Sequence, residues 1–300
     1  MNEDELIALL RPLAGQGALD LEDDAALLSL PQGQDLVIST DTMVEGVHFP
    51  EGRIGGGFSE RLLRTALSDL AAKAARPVGY TLNIAWPQGR NPIWIKGFVQ
   101  GLHDAQSAFD CPLLGGDTTS TSGPLVTSAT VYGRVPSGKA VLRSGAVAGD
   151  DVWHTGRLGL AEAGLAIVRG EPGSLPPEQA HFAEEAYLRP VPRFVFRKVL
   201  REYATAAADI SDGLLRDASH IARASGVALD LFPDIVETAG AFGDDYEILF
   251  TASPQQRESI VAEAGKLGLP VTRCGTVVDG EGVFVGGNPA HPAGYNHTLT

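Results

Sequence analysis

The 300-residue chain has few cysteines and little positive charge. Cys111 and Cys274 lie far apart and have no histidine or cysteine at ligand spacing, so we expect two buried thiols rather than a disulfide framework or a zinc site. Lysine and arginine number 23 against 37 aspartates and glutamates, which gives a formal net charge of −14. An excess of this size repels a phosphate backbone and argues against a nucleic-acid partner.

Neither the first residues nor any apolar run of the sequence is typical of a targeting or membrane-spanning segment. Its first residues, MNEDELIALLRP, are acidic where a secretory signal carries positive charge, and no apolar run approaches the ~18 residues of a membrane span. We therefore expect a cytoplasmic protein with no membrane partner. A prior of ~150 residues per domain gives two domains, and the small, polar stretch 143–151 places the boundary between 1–145 and 146–300.

Helical and strand patterns alternate along the chain. Apolar residues at helical spacing predict a helix over 59–75, with Ser59 as its N-cap, and Asn91-Pro92 predicts the start of another. The two-residue alternation over 125–135 is typical of a strand with one covered face. These patterns predict an α+β fold with mixed or antiparallel sheets covered by helices rather than a doubly wound parallel sheet.

Aspartates recur in short clusters beside glycines or predicted strand ends. Helix caps and turns explain any single cluster. Seven clusters after apolar strands indicate carboxylates gathered around a divalent cation, and magnesium, which prefers oxygen ligands and keeps waters that bridge to phosphate, is the expected ion. The clusters are Asp23-Asp24, Ser39-Thr40-Asp41-Thr42, Ser68-Asp69, Gly115-Gly116-Asp117-Thr118, Gly149-Asp150-Asp151, Asp209-Ile210-Ser211-Asp212-Gly213 and Gly243-Asp244-Asp245.

Two of these clusters also have features of a phosphate-binding backbone. Gly115 and Gly116 let N–H groups approach an anion closely, and residues 211–213 join a predicted strand to the start of a helix, a second place where amides can receive an anion. A near-match to a P-loop at 133–140 is rejected, because Ala140 replaces the hydroxyl residue and the following sequence is loop-like.

Eight motifs follow one another along the chain: Ser39-Thr-Asp-Thr42, Gly46-Val-His48-Phe49, Ser68-Asp-Leu-Ala-Ala72, Leu114-Gly-Gly-Asp-Thr118, Arg143-Ser-Gly-Ala146, Leu188-Arg-Pro190, Asp209-Ile-Ser-Asp-Gly-Leu214 and Gly243-Asp-Asp-Tyr-Glu247. In order and spacing, from about Asp23 to Tyr295, these motifs resemble those of the thiamine-monophosphate kinase family. The resemblance implies a two-domain fold of the aminoimidazole-ribonucleotide-synthetase type and a homodimer joined through the N-terminal domains. It also implies direct, in-line transfer of the ATP γ-phosphate to thiamine monophosphate.

The resemblance implies a role for individual residues. No side chain is expected as a catalytic nucleophile, because the acceptor is a phosphate oxygen already ionised at neutral pH. The implied ligands of several magnesium ions are Asp24, Ser39, Thr40, Asp41, Asp69, Asp117, Asp209 and Asp212. The implied ATP contacts are Gly116, Asp117, Arg143 and Ser211, and the implied thiamine-phosphate contacts are His48, Asp244 and Tyr295.

The chain departs from the family pattern in four places. Glu22 replaces a glycine, Phe109 stands at an ATP-contacting tyrosine, Asp244 replaces a substrate-binding glutamate, and the segment 232–243 is short. Two alternatives therefore stay open at this point. One is another ATP-dependent enzyme of the same superfamily, such as an aminoimidazole-ribonucleotide synthetase, and the other is a non-catalytic regulator that binds nucleotide and metal.

Overall fold

The computed structural model of the protein describes residues 2–52, 55–171, 175–240 and 242–295. The chain divides into two compact units. The first comprises Met1–Leu70 and Arg76–Gly138, and the second comprises Ala71–Ala75 and Lys139–Thr300. The boundary expected after residue 145 stays a prediction. Within the described ranges, no helix has the length and apolar character needed to cross a membrane.

A four-stranded mixed sheet forms the centre of the first unit. Its strand order is β1-β4-β2-β3, in which β4 runs antiparallel to β1 and β2, and β2 runs parallel to β3. Its elements are α1 (Glu3–Leu10), β1 (Gln34–Val44), α2 (Gly56–Ala72), β2 (Arg76–Pro87), α3 (Pro92–Phe109), β3 (Leu113–Thr121) and β4 (Val126–Pro136). The mixed sheet agrees with the alternation of the sequence.

One face of this sheet is covered and the other is open. Leu82 and Ile84 of β2 are buried, and the Trp86 ring packs edge-on against Phe98 of α3 with centroids 5.7 Å apart. On β1, by contrast, the Ile38 side chain is 56% exposed. The predicted cap Ser59 lies inside α2 and is fully buried, so that expectation is wrong, because the helix begins three residues earlier.

The second unit contains a seven-stranded mixed sheet in the order β11-β10-β7-β9-β5-β8-β6. The apolar face of α7 packs in a core cluster that includes Leu214 and Ile221 of the helix with Leu229 and Leu249 of the sheet. Its elements are β5 (Asp151–Thr155), α4 (Leu160–Arg169), α5 (Pro177–Leu188), α6 (Arg197–Tyr203), β6 (Ala204–Asp209), α7 (Leu214–Ser225), β7 (Ala228–Leu231), α8 (Pro233–Ala239), β8 (Ile248–Ala252), α9 (Arg257–Lys266), β9 (Val271–Val278), β10 (Gly282–Val285) and β11 (Asn288–Ala290).

Candidate functional site

In the first unit, β1 and α2 bring two of the predicted metal ligands together. The Ser39 hydroxyl donates to a carboxylate oxygen of Asp69 at 2.5 Å. Because side chains alternate along a strand, Asp41 lies on the same face of β1 as Ser39. Thr40 lies on the opposite face, where its hydroxyl is 2.9 Å from that of Thr130, so it can join this group only through its main chain.

A second group of predicted residues lines a cleft of about 320 Å³ in the same unit. The cleft is bordered by Asp24, Gly116 and Asp117. Gly116 has φ of +154°, and a Cβ atom there would lie 1.8 Å from the Leu82 carbonyl oxygen, so β3 can lie this close to β2 only with glycine. The Asp117 N–H donates to the Asn83 side chain at 3.2 Å, which holds this part of β3 against β2.

The sheet keeps these two groups apart within one chain. Asp41 is in register with Ala129, Ala129 with Leu82, and Leu82 with Gly116, so three strand spacings, ~14 Å, separate β1 from β3. Asp41 and Asp117 of one chain therefore do not share a single ion.

The loop after β1 orients His48. The Val44 N–H donates to His48 Nδ1 at 3.0 Å. This bond assigns the acceptor role to Nδ1, and in a neutral ring the proton consequently lies on Nε2, which becomes a donor. Such a ring is suited to donating a hydrogen bond to a phosphate oxygen.

A buried carboxylate, Glu45, ties this loop to the rest of the first unit. It accepts hydrogen bonds from the N–H groups of Gly52 at 2.9 Å and Leu125 at 3.1 Å, and it pairs with Arg90 at 2.6 Å. Burial alone would raise the pKa of Glu45, but these two amides and the Arg90 guanidinium together hold that pKa below its usual value. Neither Glu45 nor Arg90 is among the site residues predicted from the sequence.

In the second unit, the loop between β6 and α7 carries three predicted site residues. Asp209 ends β6 and is buried, and Ser211 and Asp212 follow it. The N–H groups of residues 211–213 were expected to receive an anion, and that expectation is wrong. All three donate to one carboxylate oxygen of Asp217, at 3.0, 3.1 and 3.1 Å, so these amides are already occupied.

Two predicted substrate residues lie against this same loop. The Asp244 N–H donates to the Ser211 carbonyl at 2.8 Å, and the Tyr295 N–H donates to the Asp212 carbonyl at 2.9 Å. Asp244 has a left-handed φ of +69°, which a non-glycine residue adopts only when its surroundings enforce it. The structure thus brings Ser211, Asp212, Asp244 and Tyr295 together.

Ion pairs and caps that the motifs did not reveal hold the 243–247 segment. Glu247 is buried and accepts the Thr155 hydroxyl at 2.7 Å and the Arg193 Nε–H at 2.7 Å. Asp245 accepts the Gly159 N–H at 2.9 Å, at the start of α4. Burial raises the pKa of Asp245 to about 7, and the nearby charges of Glu247 and Asp244 add to the rise despite the hydrogen bonds from amides.

Not every aspartate cluster contributes to a site. Asp150 accepts the Thr205 hydroxyl at 2.7 Å, and Asp151 is almost fully buried between Arg257 at 2.6 Å and Arg273 at 3.1 Å. For these two residues the expectation of a cation site is wrong, because hydrogen-bond donors and guanidinium groups already satisfy their carboxylates.

Two other predicted positions have simpler surroundings. The exposed residue Arg143 accepts the Ser225 hydroxyl at its carbonyl oxygen at 3.1 Å, which ties the start of the second unit to the end of α7. Phe109, which departs from the family pattern, lies under the Arg64 guanidinium at 5.1 Å, a cation–π contact within the first unit.

The chain resembles known proteins over nearly its whole length. Residues 22–135 match the N-terminal domain of AIR synthase related protein, and residues 147–288 match its C-terminal domain. The thiamine-monophosphate kinase of Caulobacter vibrioides is 42% identical over 93% of this chain and 85% of that protein. The chain belongs to the thiamine-monophosphate kinase family.

Solved structures agree with this family assignment. The crystal structure of thiamine-monophosphate kinase from Stenotrophomonas maltophilia superposes with a TM-score of 0.83 at 36% identity, covering 96% of both chains. AaThiL complexed with AMPPCP and TMP superposes with a TM-score of 0.80 at 28% identity, covering 99% of this chain and 97% of that one. The predicted family and the predicted two-domain α+β fold are confirmed.

Proposed function

We propose that this chain is a kinase that uses ATP to phosphorylate thiamine monophosphate, giving thiamine diphosphate. Family membership supports the reaction, and AaThiL, a relative of the same fold, is complexed with AMPPCP and TMP. The observation in this chain that carries the proposal is the loop of the second unit. There Ser211 and Asp212, implied for ATP and metal, are hydrogen-bonded to Asp244 and Tyr295, implied for the thiamine substrate.

The residues are suited to a transfer that needs no activated nucleophile. The acceptor oxygen of thiamine monophosphate is ionised at neutral pH, so the obstacle is repulsion between two phosphate groups rather than a missing base. His48, with its Nε2–H as donor, offers one hydrogen bond to a phosphate, and Arg143 offers positive charge. The acceptor oxygen attacks the γ-phosphorus of ATP, the bond to the β-phosphate oxygen breaks, and ADP leaves.

The oxygen donors of the chain fit magnesium. Ser39, Asp41 and Asp69 form one group of hydroxyl and carboxylate oxygens, and Asp24 and Asp117 form another at the cleft. Asp209 and Asp212 offer carboxylates in the second unit. When bound, magnesium offsets the negative charge of the phosphates and aligns them.

The same donors support the proposed homodimer. The open face of the first unit's sheet exposes Leu36 and Ile38, as a surface that meets a second copy does. Asp41 and Asp117 lie on the two edge strands of the sheet, ~14 Å apart in one chain, so a site that uses both draws them from two copies whose sheet edges meet. We infer that each active site combines Asp41 of one protomer with Asp117 of its partner.

Mixed dimers test this arrangement. Asp41→Asn and Asp117→Asn should each inactivate the homodimer. A heterodimer of the two variants, purified through a different tag on each chain, contains one site with both native aspartates. It should regain about half of the wild-type activity. Asp41→Asn paired with Asp69→Asn is the matched control, because these residues belong to one group and no native site can form. If the heterodimer of Asp41→Asn and Asp117→Asn is inactive although both homodimers are folded, the shared site is contradicted.

The reaction itself is tested by ADP release in the presence of purified protein, magnesium and a panel of acceptors. We expect release that depends on thiamine monophosphate and is absent with ribonucleotide acceptors of the related synthetases. Asp41→Asn should abolish turnover while ATP binding is only weakened. A wild-type protein that binds ATP tightly but releases no ADP with any acceptor would identify a regulator instead.

A further inference from the structure

Asp217 holds the loop between β6 and α7, although no motif pointed to it. The residue lies in the first turn of α7 and is 99% buried, with 1% of its surface exposed. One of its carboxylate oxygens accepts the N–H groups of Ser211, Asp212 and Gly213, at 3.0–3.1 Å. Because three consecutive N–H groups donate to one oxygen of this buried carboxylate, the hydrogen-bond donors of the loop main chain are directed toward Asp217.

The main-chain carbonyl groups of the same loop accept hydrogen bonds from two other segments. The Ser211 carbonyl receives the Asp244 N–H, and the Asp212 carbonyl receives the Tyr295 N–H. Close packing requires this arrangement, since a Cβ atom on Gly243 would lie 1.9 Å from the Ser211 carbonyl oxygen. The loop therefore has amides fixed to Asp217 on one side and two substrate-side segments docked on the other.

This division of donors and acceptors affects the kind of ligand that the loop can receive. A strand-to-helix loop with open amides attracts anions. Here the three amides are occupied, while the carboxylate of Asp212 remains beside the loop, 3.1 Å from the Arg216 guanidinium. The carbonyl groups of residues 211–213 also accept amides, so the loop presents the Asp212 carboxylate, which suits a cation between protein and phosphate rather than direct contact of phosphate with the main chain.

We propose that Asp217 is a positioning residue, which sequesters the amides of residues 211–213 and thereby sets the placement of Asp212, Asp244 and Tyr295. Its consequence for turnover rests on the proposed function, but its effect on the loop does not. A carboxylate that merely capped α7 would stabilise the helix and leave the docking of Asp244 and Tyr295 unchanged.

Hydrogen exchange on the metal-free protein tests the effect on the loop. Asp217→Ala should speed exchange of the amides at 211–213 and of the Asp244 amide, which donates to the same loop. Asp217→Asn, whose side-chain oxygen still accepts, should show a smaller increase. Asp234→Ala is the matched control, because Asp234 is an exposed acid in the first turn of α8 and its loss should leave these amides unchanged. Unchanged exchange at 211–213 and 244 in Asp217→Ala overturns the proposal.

Kinetics test the consequence for the site. Because small misplacements of binding groups are costly, we expect Asp217→Ala to lose about tenfold or more in kcat/KM for thiamine monophosphate. Asp217→Asn should recover part of the loss. If Asp217→Ala does not fold, exchange and kinetics of Asp217→Asn decide. Faster exchange with wild-type kcat/KM would refute the positioning role, whereas a wild-type protein without kinase activity would refute the proposed function and leave the exchange result standing.

Discussion

The pair of Arg193 and Glu247 offers a sharp prediction about how the second unit holds its site. Glu247 is 4% exposed, and its carboxylate receives two guanidinium hydrogen bonds and the Thr155 hydroxyl. Arg193→Ala leaves that carboxylate buried with the hydroxyl of Thr155 as its remaining side-chain donor among these contacts. The 243–247 segment, which carries Asp244, should then lose one of its anchors.

The size of the effect follows from burial. Removing one partner of a buried ion pair costs about 3–5 kcal/mol, but the Arg193 side chain is 23% exposed, and water screens part of the interaction. We expect a loss of about 2–3 kcal/mol. At 2–4 °C per kcal/mol for a unit of this size, the melting temperature of the second unit should fall by roughly 4–12 °C.

Thermal melts followed by circular dichroism measure this effect, with Arg169→Ala as the matched control. Arg169 is half exposed and lies 3.9 Å from Glu171, so its loss should change stability by less than about 0.5 kcal/mol. The double variant Arg193→Ala/Glu247→Gln should be more stable than Arg193→Ala alone, because no unpaired charge stays buried. A double variant that melts below Arg193→Ala would refute the reasoning that a buried charge dominates the loss.

Three further predictions concern pH and backbone space. The pKa of Glu45 is lowered in the folded state, so its contribution to stability is present above about pH 4.5 and is lost as the pH falls below that value. The free energy of unfolding, measured by urea denaturation between pH 3 and 6, should therefore fall less steeply with decreasing pH in Glu45→Gln than in the wild type. The pKa of Asp245 is raised to about 7, so the folded state binds the extra proton and the wild type should lose stability relative to Asp245→Asn as the pH rises from 4 to 7, with no further change above 7. A wild type that instead gains stability over this range contradicts the assignment. Gly116→Ala should lower both the melting temperature and ATP affinity, because its Cβ would lie 1.8 Å from the Leu82 carbonyl oxygen; Gly115→Ala, whose Cβ meets no atom within 4 Å, is the matched control and should melt like the wild type.

Local patterns in the sequence were sufficient for much of the fold. Helix α3 begins at Asn91-Pro92 as predicted, since the Asn91 side chain accepts the Ile93 N–H at 3.0 Å. Strand β5 was not predicted, because all five of its residues are buried and the sequence shows no alternation there. Alternation of polar and apolar residues indicates a strand with one face exposed to solvent. A strand that is buried on both faces, such as β5, shows no such alternation.

The candidate site was predictable to the extent that it depends on residue type near a strand end. The grouping of Ser211 with Asp244 follows from motifs in loops beside strands, whereas Ser39 lies in the middle of β1 and Asp69 inside α2, so their pairing depends on how the helix packs on the sheet. The occupation of the 211–213 amides does not, because it depends on a carboxylate one turn into the next helix. A strand-to-helix loop with a buried acid four residues beyond its glycine is the sequence signal that distinguishes such a loop from an open anion site.

The acidic excess of the chain has three different physical explanations, and the donors around each carboxylate separate them. Asp151 is neutralised by two arginines, and Asp245 and one carboxylate oxygen of Asp217 are satisfied by amides, so the burial of these groups does not by itself require a cation. Asp41 and Asp117 lie on strands β1 and β3 of the sheet that carries the proposed metal site. The number of aspartates therefore overestimates how many of them bind metal. The hydrogen-bond donors around each carboxylate distinguish those that stabilise the fold from those that are suited to bind a cation.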